Sequence, residues 1–127
     1  MAPSRSLDVQ VKRVYDEASP DDGTRVLVDR LWPRGLSKER ARLDAWEKEP
    51  APSNELRRWY DHDPERYEEF AERYRHELTD PERSAALDRL RALARDGRLT
   101  LLTATKDLPH GHVRVLVDAL KRDRGHV

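Results

Sequence analysis

Apolar residues along the chain group into short stretches with the periodicity of strands. Val9 and Val11 alternate with polar neighbours, which predicts a half-exposed strand running to about Tyr15. Residues 25–29 are apolar at three consecutive positions, and residues 99–104 are similarly rich in apolar side chains. Such runs are typical of strands covered on both faces, so we predict two buried strands there. A shorter strand is predicted over residues 43–46.

Three later segments carry apolar side chains at helical spacing, which predicts three amphipathic helices. Their stripes are Tyr67, Phe70, Ala71, Tyr74 and Leu78; Leu87, Leu90, Leu93 and Ala94; and Val113, Leu116, Val117 and Leu120. Ser37 is expected to cap a short turn through Ala41, and Ser53 a helix through about Trp59, because short polar side chains accept hydrogen bonds from free first-turn amides. Asp63 before Pro64, and Thr79 or Asp80 before Pro81, are further N-cap candidates.

Buried strands separated by helices indicate the α/β class: a small parallel or mixed sheet with helices packed on its faces, Rossmann-like, in two or three layers. A chain of 127 residues is long enough for one core, so we predict a single domain over residues 1–127. We expect the first six or so and the last five or so residues to be loose.

Charge and composition indicate which classes of partner are disfavoured. The chain is 39% charged, with 25 basic and 25 acidic residues and no cysteine. Because these charges cancel, the protein has no net positive charge that would attract it to nucleic acid or to an acidic membrane. Cysteine chemistry is excluded, and the lack of an apolar run of signal or membrane-spanning length favours a cytoplasmic protein without a membrane partner.

The loops that follow the two buried strands hold the candidate chemistry. Arg30, Trp32 and Arg34 follow the first strand, and Lys106 and Asp107 follow the second. Ligands of open α/β sheets usually bind beyond the carboxyl ends of the strands. We therefore predict a cleft in which the cationic groups hold an anion, Trp32 forms a wall and Asp107 is the candidate for proton transfer.

Each of these residues also has a purely structural interpretation. The arginines can pair with some of the many acidic side chains, Trp32 can fill the mouth of the core, and Asp107 can begin the turn to Pro109. Further residues are predicted at the rim of the cleft: Ser53, Arg57, Tyr74, Glu77 and His112. Here too Ser53 can serve only as a cap, and Tyr74 and Glu77 as a buried anchor and its hydrogen-bond partner.

Neither a metal site nor a cofactor is predicted. His110 and His112 are two residues apart, whereas metal-binding pairs on helices are normally separated by three or four residues. The glycine-rich fingerprints of nucleotide-binding loops do not occur in the sequence.

Several motifs together resemble the YeaO-like family of uncharacterised bacterial proteins. They are residues 29–35 (Asp-Arg-Leu-Trp-Pro-Arg-Gly), Ala51-Pro52-Ser53, Leu56-Arg57, Trp59, Phe70, Tyr74, Glu77-Leu78 and Lys106-Asp107. The resemblance spans Val9 to about Leu120 and implies a compact α/β fold in a bacterial, cytoplasmic setting. It brings no established substrate, cofactor or catalytic residue. Tyr67, Thr103 and Gly111 depart from the family pattern, where Trp, an aromatic residue and Asn are common.

Three functions are compatible with the sequence. The first is an enzyme or binding domain that acts on a small anionic or phosphorylated molecule. The alternative is a nucleic-acid-binding or regulatory interaction module that uses the basic loop together with Arg57, Arg58, Trp59 and Tyr60. The third is an interaction protein without chemistry, in which exposed aromatic side chains form a partner patch and not a cleft. The oligomeric state cannot be deduced from the sequence.

Overall fold

The computed structural model describes residues 7–122, so the expectation of loose ends concerns residues that lie outside this range. The strands are β1 (Val9–Arg13), β2 (Thr24–Leu27), β3 (Ala45–Trp46) and β4 (Leu99–Thr103). The helices are α1 (Lys38–Ala41), α2 (Asn54–Tyr60), α3 (Tyr67–Glu77), α4 (Pro81–Asp96) and α5 (His112–Lys121). Short 3-10 helices lie at Pro20–Asp22, Pro64–Arg66 and Leu108–His110.

The strands form one parallel sheet in the order β1-β4-β2-β3. The most buried strand, β4, lies between β1 and β2, and Leu101 pairs with Val11 on one side and with Val26 on the other. This arrangement confirms the α/β class and selects a parallel sheet. It also makes β2 and β4 neighbours, so their carboxyl ends lie side by side.

The two faces of the sheet are covered unequally. Val26 and Leu101 belong to the larger core, which includes buried side chains from α2, α3, α4 and α5. Because strand side chains alternate between faces, Leu27 and Leu102 point the other way and pack with Leu36, Ala41 of α1 and other residues in a smaller cluster. The long helices thus form one layer, and α1 with its flanking loops forms a thinner second cover.

A buried ionic network lies beside the amino end of β2. The Asp22 carboxylate lies 2.5 Å from Nη1 of Arg25 and 3.1 Å from Nζ of Lys12, and it also accepts from the Ser19 amide. Arg25 is only 4% exposed and Asp22 only 1%. Burial acts to raise the pKa of Asp22, but the Ser19 amide and the two cations outweigh it and hold that pKa below its usual value.

The predicted caps are confirmed where the structure describes them. Ser37, Ser53, Asp63 and Asp80 each accept a first-turn amide with their side chains, so Asp80 and not Thr79 caps α4. The strands are shorter in the structure than the ranges that we predicted from the apolar runs. Within residues 7–122, no helix has the length and apolar character needed to cross a membrane.

Candidate functional site

A cavity of about 410 Å³ opens where β2 and β4 end. Its wall comes from the loop after β2, the segment before α2, the end of α2 and the start of α5. Among the described residues that line it are Asp29, Arg30, Trp32, Arg34, Arg57, Tyr60, His62, Thr105, His110 and His112. The sheet order therefore brings together Arg30, Trp32, Arg34, Arg57 and His112, all of which the sequence had suggested.

Asp29 and His112 form the floor of this cavity. The Asp29 carboxylate accepts from the Thr103 hydroxyl and from the Ala104 amide, each at 2.8 Å, which fixes it at the end of β4. Nε2 of His112 lies 3.0 Å from the carbonyl oxygen of Val28 and 3.6 Å from Oδ1 of Asp29. Both side chains are largely buried, with 11% of His112 and 15% of Asp29 exposed.

The surroundings of the His112 ring favour its neutral form. Burial lowers its pKa, and the nearby Arg57 adds to this, while Asp29 and the Val28 carbonyl oppose it without reversing the direction. A carbonyl oxygen only accepts hydrogen bonds, so Nε2 must donate to Val28. In the neutral ring the lone pair is then on Nδ1.

Two arginines in the cavity wall carry buried donors without partners. Within residues 7–122, the buried side-chain nitrogens that make no hydrogen bond are Nε of Arg13, Arg30 and Arg57. Arg30 and Arg57 line the cavity, and Arg13 lies at the end of β1 with its guanidinium 5.5 Å from the ring of Tyr15, another lining residue. A buried N–H without a partner costs about 1–3 kcal/mol, so this set of unmet donors is a feature that needs an explanation.

The lining is cationic as well as rich in unpaired donors. Arg30, Arg34 and Arg57 face a single lining carboxylate, that of Asp29, among the residues that the structure describes. That carboxylate is already hydrogen-bonded to Thr103 and Ala104.

Aromatic side chains give the cavity its rigid walls. Nε1 of Trp32 donates to the Leu36 carbonyl at 2.7 Å, and its ring meets Trp46 edge-on at 5.3 Å. Across the cavity, Tyr60 stacks on Phe70 at 4.2 Å and its hydroxyl donates to the His110 carbonyl at 2.6 Å. Burial raises the pKa of Tyr60 to about 12, so its hydroxyl keeps its proton.

Lys106 and Asp107 do not line this cavity. Lys106 is exposed, and Asp107 caps the 3-10 helix Leu108–His110. The Asp107 carboxylate also lies 2.9 Å from Nδ1 of His110. Their predicted roles in anion capture and proton transfer thus gain no support from position, because both residues are exposed and lie outside the lining. The proposed structural role of Asp107 in the turn is the one that its contacts match.

Three predicted rim residues lie behind the wall and not in it. The Tyr74 hydroxyl donates to the Pro50 carbonyl, and Tyr74 is fully buried. Glu77 accepts from the Ser53 amide at 2.9 Å and from its hydroxyl at 2.5 Å. These hydrogen bonds hold residues 50–53 against α3. Because Ala51 and Pro52 of this segment line the cavity, the bonded residues affect the shape of the cavity without lining it.

The basic and aromatic cluster of α2 is divided by the fold. Arg57 and Tyr60 turn to the cavity, while the guanidinium carbons of Arg66 and Arg73 lie 5.5 and 4.5 Å from the ring centre of Trp59. The Trp59 ring therefore already has cationic neighbours, and the cluster Arg57, Arg58, Trp59 and Tyr60 does not form one open stacking surface for bases.

In the part of the chain that the structure describes, no group of three or more histidine and acidic side chains is placed to hold a metal ion.

The family follows from comparison of the sequence with known proteins. A model described as the inactive DUF488-N3 subclade matches residues 8–125. The chain belongs to this family. It is 44% identical over 115 residues to the uncharacterised protein YeaO of Escherichia coli K12, an alignment covering 91% of this chain and 98% of YeaO.

Uncharacterised proteins from mycobacteria are also similar to this chain. An uncharacterised protein of Mycobacterium tuberculosis H37Rv is 50% identical over 116 residues, which cover 91% of this chain and 96% of the relative. A protein of Mycobacterium bovis gives the same values. No solved structure matches the chain.

The cavity lining also includes Asp29, Tyr60, His62 and His110, which the sequence did not place at the anion site. Asp29 had been placed at the end of a strand, and its acidic side chain there was the available signal. The chain reverses after Tyr60, the last residue of α2, because Asp61 and His62 adopt left-handed backbone conformations with φ of 49° and 54°. Aspartate and histidine tolerate this conformation better than most residues, but they do not require it.

Proposed function

We propose that the protein is a binding domain that captures a small anionic ligand, carrying a phosphate or carboxylate group, in the cavity at the ends of β2 and β4. The observation that carries this proposal is the pair of buried Nε atoms of Arg30 and Arg57, which lack partners in the cavity wall. An oxyanion in the cavity that draws the two guanidinium groups toward it would satisfy both donors with charge-assisted hydrogen bonds, which are about twice as strong as neutral ones.

Electrostatics and size support the same proposal. Three lining arginines against one hydrogen-bonded carboxylate leave a cationic interior. The planar guanidinium group matches the geometry of phosphate and carboxylate oxygens. A volume of about 410 Å³ lies within the range of roughly 300–1,000 Å³ that is usual for small-molecule sites.

We favour binding over catalysis. The matching family model is described as inactive, and Asp107, the sequence-based candidate for proton transfer, lies outside the cavity with its carboxylate on His110. The Asp29 carboxylate is already hydrogen-bonded to Thr103 and Ala104, so both of these contacts serve the structure. We propose a cytoplasmic setting because a chain without cysteine fits a reducing compartment.

A thermal-shift screen tests this function, because a ligand that binds the folded state alone raises the melting temperature. The panel contains inorganic phosphate, sulfate, sugar phosphates, nucleotides, carboxylic acids and an uncharged sugar. The variants are Arg30→Met and Arg57→Met, and Arg58→Met is the matched control because Arg58 is an exposed arginine on the same helix.

We expect one or more anions to stabilise the wild type and Arg58→Met, and to have little effect on the two cavity variants. The uncharged sugar should have no effect on any of the proteins. Equal stabilisation of wild type and both cavity variants would place the anion elsewhere and overturn the proposal. So would the absence of any shift across the anions of the panel.

A further inference from the structure

The floor of the cavity presents acceptors, in contrast to the donors of its walls. Asp29 contributes a carboxylate, and His112 contributes Nδ1, which makes no hydrogen bond within residues 7–122. Nδ1 is also not one of the buried unpartnered nitrogens described above. Because His112 lines the cavity, this ring nitrogen is the candidate acceptor for a ligand there.

The His112 tautomer is set by the protein before a ligand arrives. Its Nε2 lies 3.0 Å from a main-chain carbonyl oxygen that has no proton to give, so Nε2 must carry the ring proton. Thr103 and Ala104 fix Asp29, and Tyr74 packs against the imidazole with ring centres 6.0 Å apart. His112 is therefore a pre-oriented acceptor, and it cannot rotate to donate without losing its bond to Val28.

We infer that the ligand carries a hydrogen-bond donor beside its anionic group, and that Nδ1 of His112 accepts this hydrogen while Arg30 and Arg57 hold the charge. The inference rests on the proposed function and specifies its ligand class. An anion with only lone pairs would place an oxygen against the lone pair of Nδ1. A ligand hydroxyl would turn this contact from repulsive to attractive.

Two kinds of molecule share this chemistry. Hydrogen phosphate carries a hydroxyl on phosphorus, whereas sulfate of the same charge does not. A phosphate ester with a hydroxyl on its carbon chain has its donor further along, and a cavity of about 410 Å³ has room for such a chain as well as for the phosphate group.

The experiment compares dianions of equal charge by titration calorimetry at about pH 8, where phosphate monoesters have lost their second proton. One pair is inorganic phosphate and sulfate, and the other is glycerol 3-phosphate and propyl phosphate, which lacks the hydroxyls. We expect the donor-bearing member of at least one pair to bind about tenfold or more tightly, as one additional satisfied polar contact predicts. The first pair tests a donor on phosphorus, and the second pair tests a donor on carbon.

His112→Phe keeps an aromatic ring beside Tyr74 and removes the acceptor, so it should bring the affinity ratio close to one by weakening only the donor-bearing anion. His76→Phe is the control, because His76 is an exposed histidine on α3 outside the cavity. It should preserve the wild-type ratio.

The outcomes separate this inference from the proposed function. If wild type binds these anions but shows a ratio near one in both pairs, the donor requirement is wrong and the anion site stands. If none of the four anions binds while another anion of the thermal-shift panel does, this inference fails and the proposed function stands. A ratio unchanged in folded His112→Phe would remove His112 as the acceptor, and the wild-type ratios remain decisive if that variant does not fold.

Discussion

Arg57→Met should make the empty protein more stable while it abolishes ligand capture. In the absence of ligand, Nε of Arg57 is buried without a partner, at an expected cost of about 1–3 kcal/mol. Methionine keeps an unbranched apolar stem of similar helix propensity and removes the donor and the charge. The exposed hydrogen bond from the Arg57 guanidinium to the Asn54 side chain is lost, which subtracts roughly 0.5 kcal/mol.

Arg58→Met provides the reference for this measurement. Arg58 is exposed, and both arginines lie in the last turn of α2, so each substitution removes a similar favourable interaction with the helix dipole. The difference between the two variants isolates the buried donor. We expect Arg57→Met to exceed Arg58→Met by about 1–2 kcal/mol, which for a chain of this length is about 4–8 °C in melting temperature.

Chemical denaturation without ligand, followed by circular dichroism, measures the difference. Arg57→Met should have the higher denaturation midpoint with an unchanged slope. If Arg57→Met is less stable than Arg58→Met, the guanidinium is already satisfied in the empty protein, and the reasoning from unmet donors is refuted.

Other substitutions test the remaining parts of the account. Asp22→Ala leaves Arg25 buried without its counter-charge and should cost about 3–5 kcal/mol of unfolding free energy, and a loss under about 1 kcal/mol would contradict the buried network. Folding depresses the pKa of Asp22, so the contribution of Asp22 to the free energy of unfolding should be full above its unfolded pKa of about 4 and should be lost as the pH falls through the folded pKa. Urea denaturation at a series of pH values should show this loss of stability toward acid in wild type and a smaller loss in Asp22→Ala. Glu77→Gln weakens two contacts to Ser53 and should lower stability by about 1–2 kcal/mol and loosen anion binding, whereas unchanged binding would separate that contact from the cavity. Lys106→Ala should leave the affinity for the anion unchanged, and a tenfold loss in calorimetry would return Lys106 to the site.

The fold was predictable to the extent that local chemistry determines it. The caps at Ser37, Ser53, Asp63 and Asp80 could be identified because a short polar side chain before a helix has few alternative uses. The parallel arrangement was one of two possibilities, since hydrophobic runs do not report strand direction. Pairing of β2 with β4 required tertiary structure, because the strands are far apart in the sequence.

The candidate site was predictable in its location and only partly in its composition. Arg30, Trp32 and Arg34 reach the cavity because the chain leaves β2 at that point. Lys106 was inferred from the same rule, but β4 ends at Thr103, and Lys106 is exposed and outside the lining. Arg57 joins the lining from α2, an arrangement that depends on packing between distant segments and not on spacing.

The most direct test of the central claim is a crystal structure of the protein with the anion that gives the largest thermal shift. The account predicts that its oxygens lie within hydrogen-bonding distance, about 2.7–3.2 Å, of Nε of both Arg30 and Arg57. An anion bound on the outer surface, with ordered water satisfying both Nε atoms in the cavity, would contradict the account.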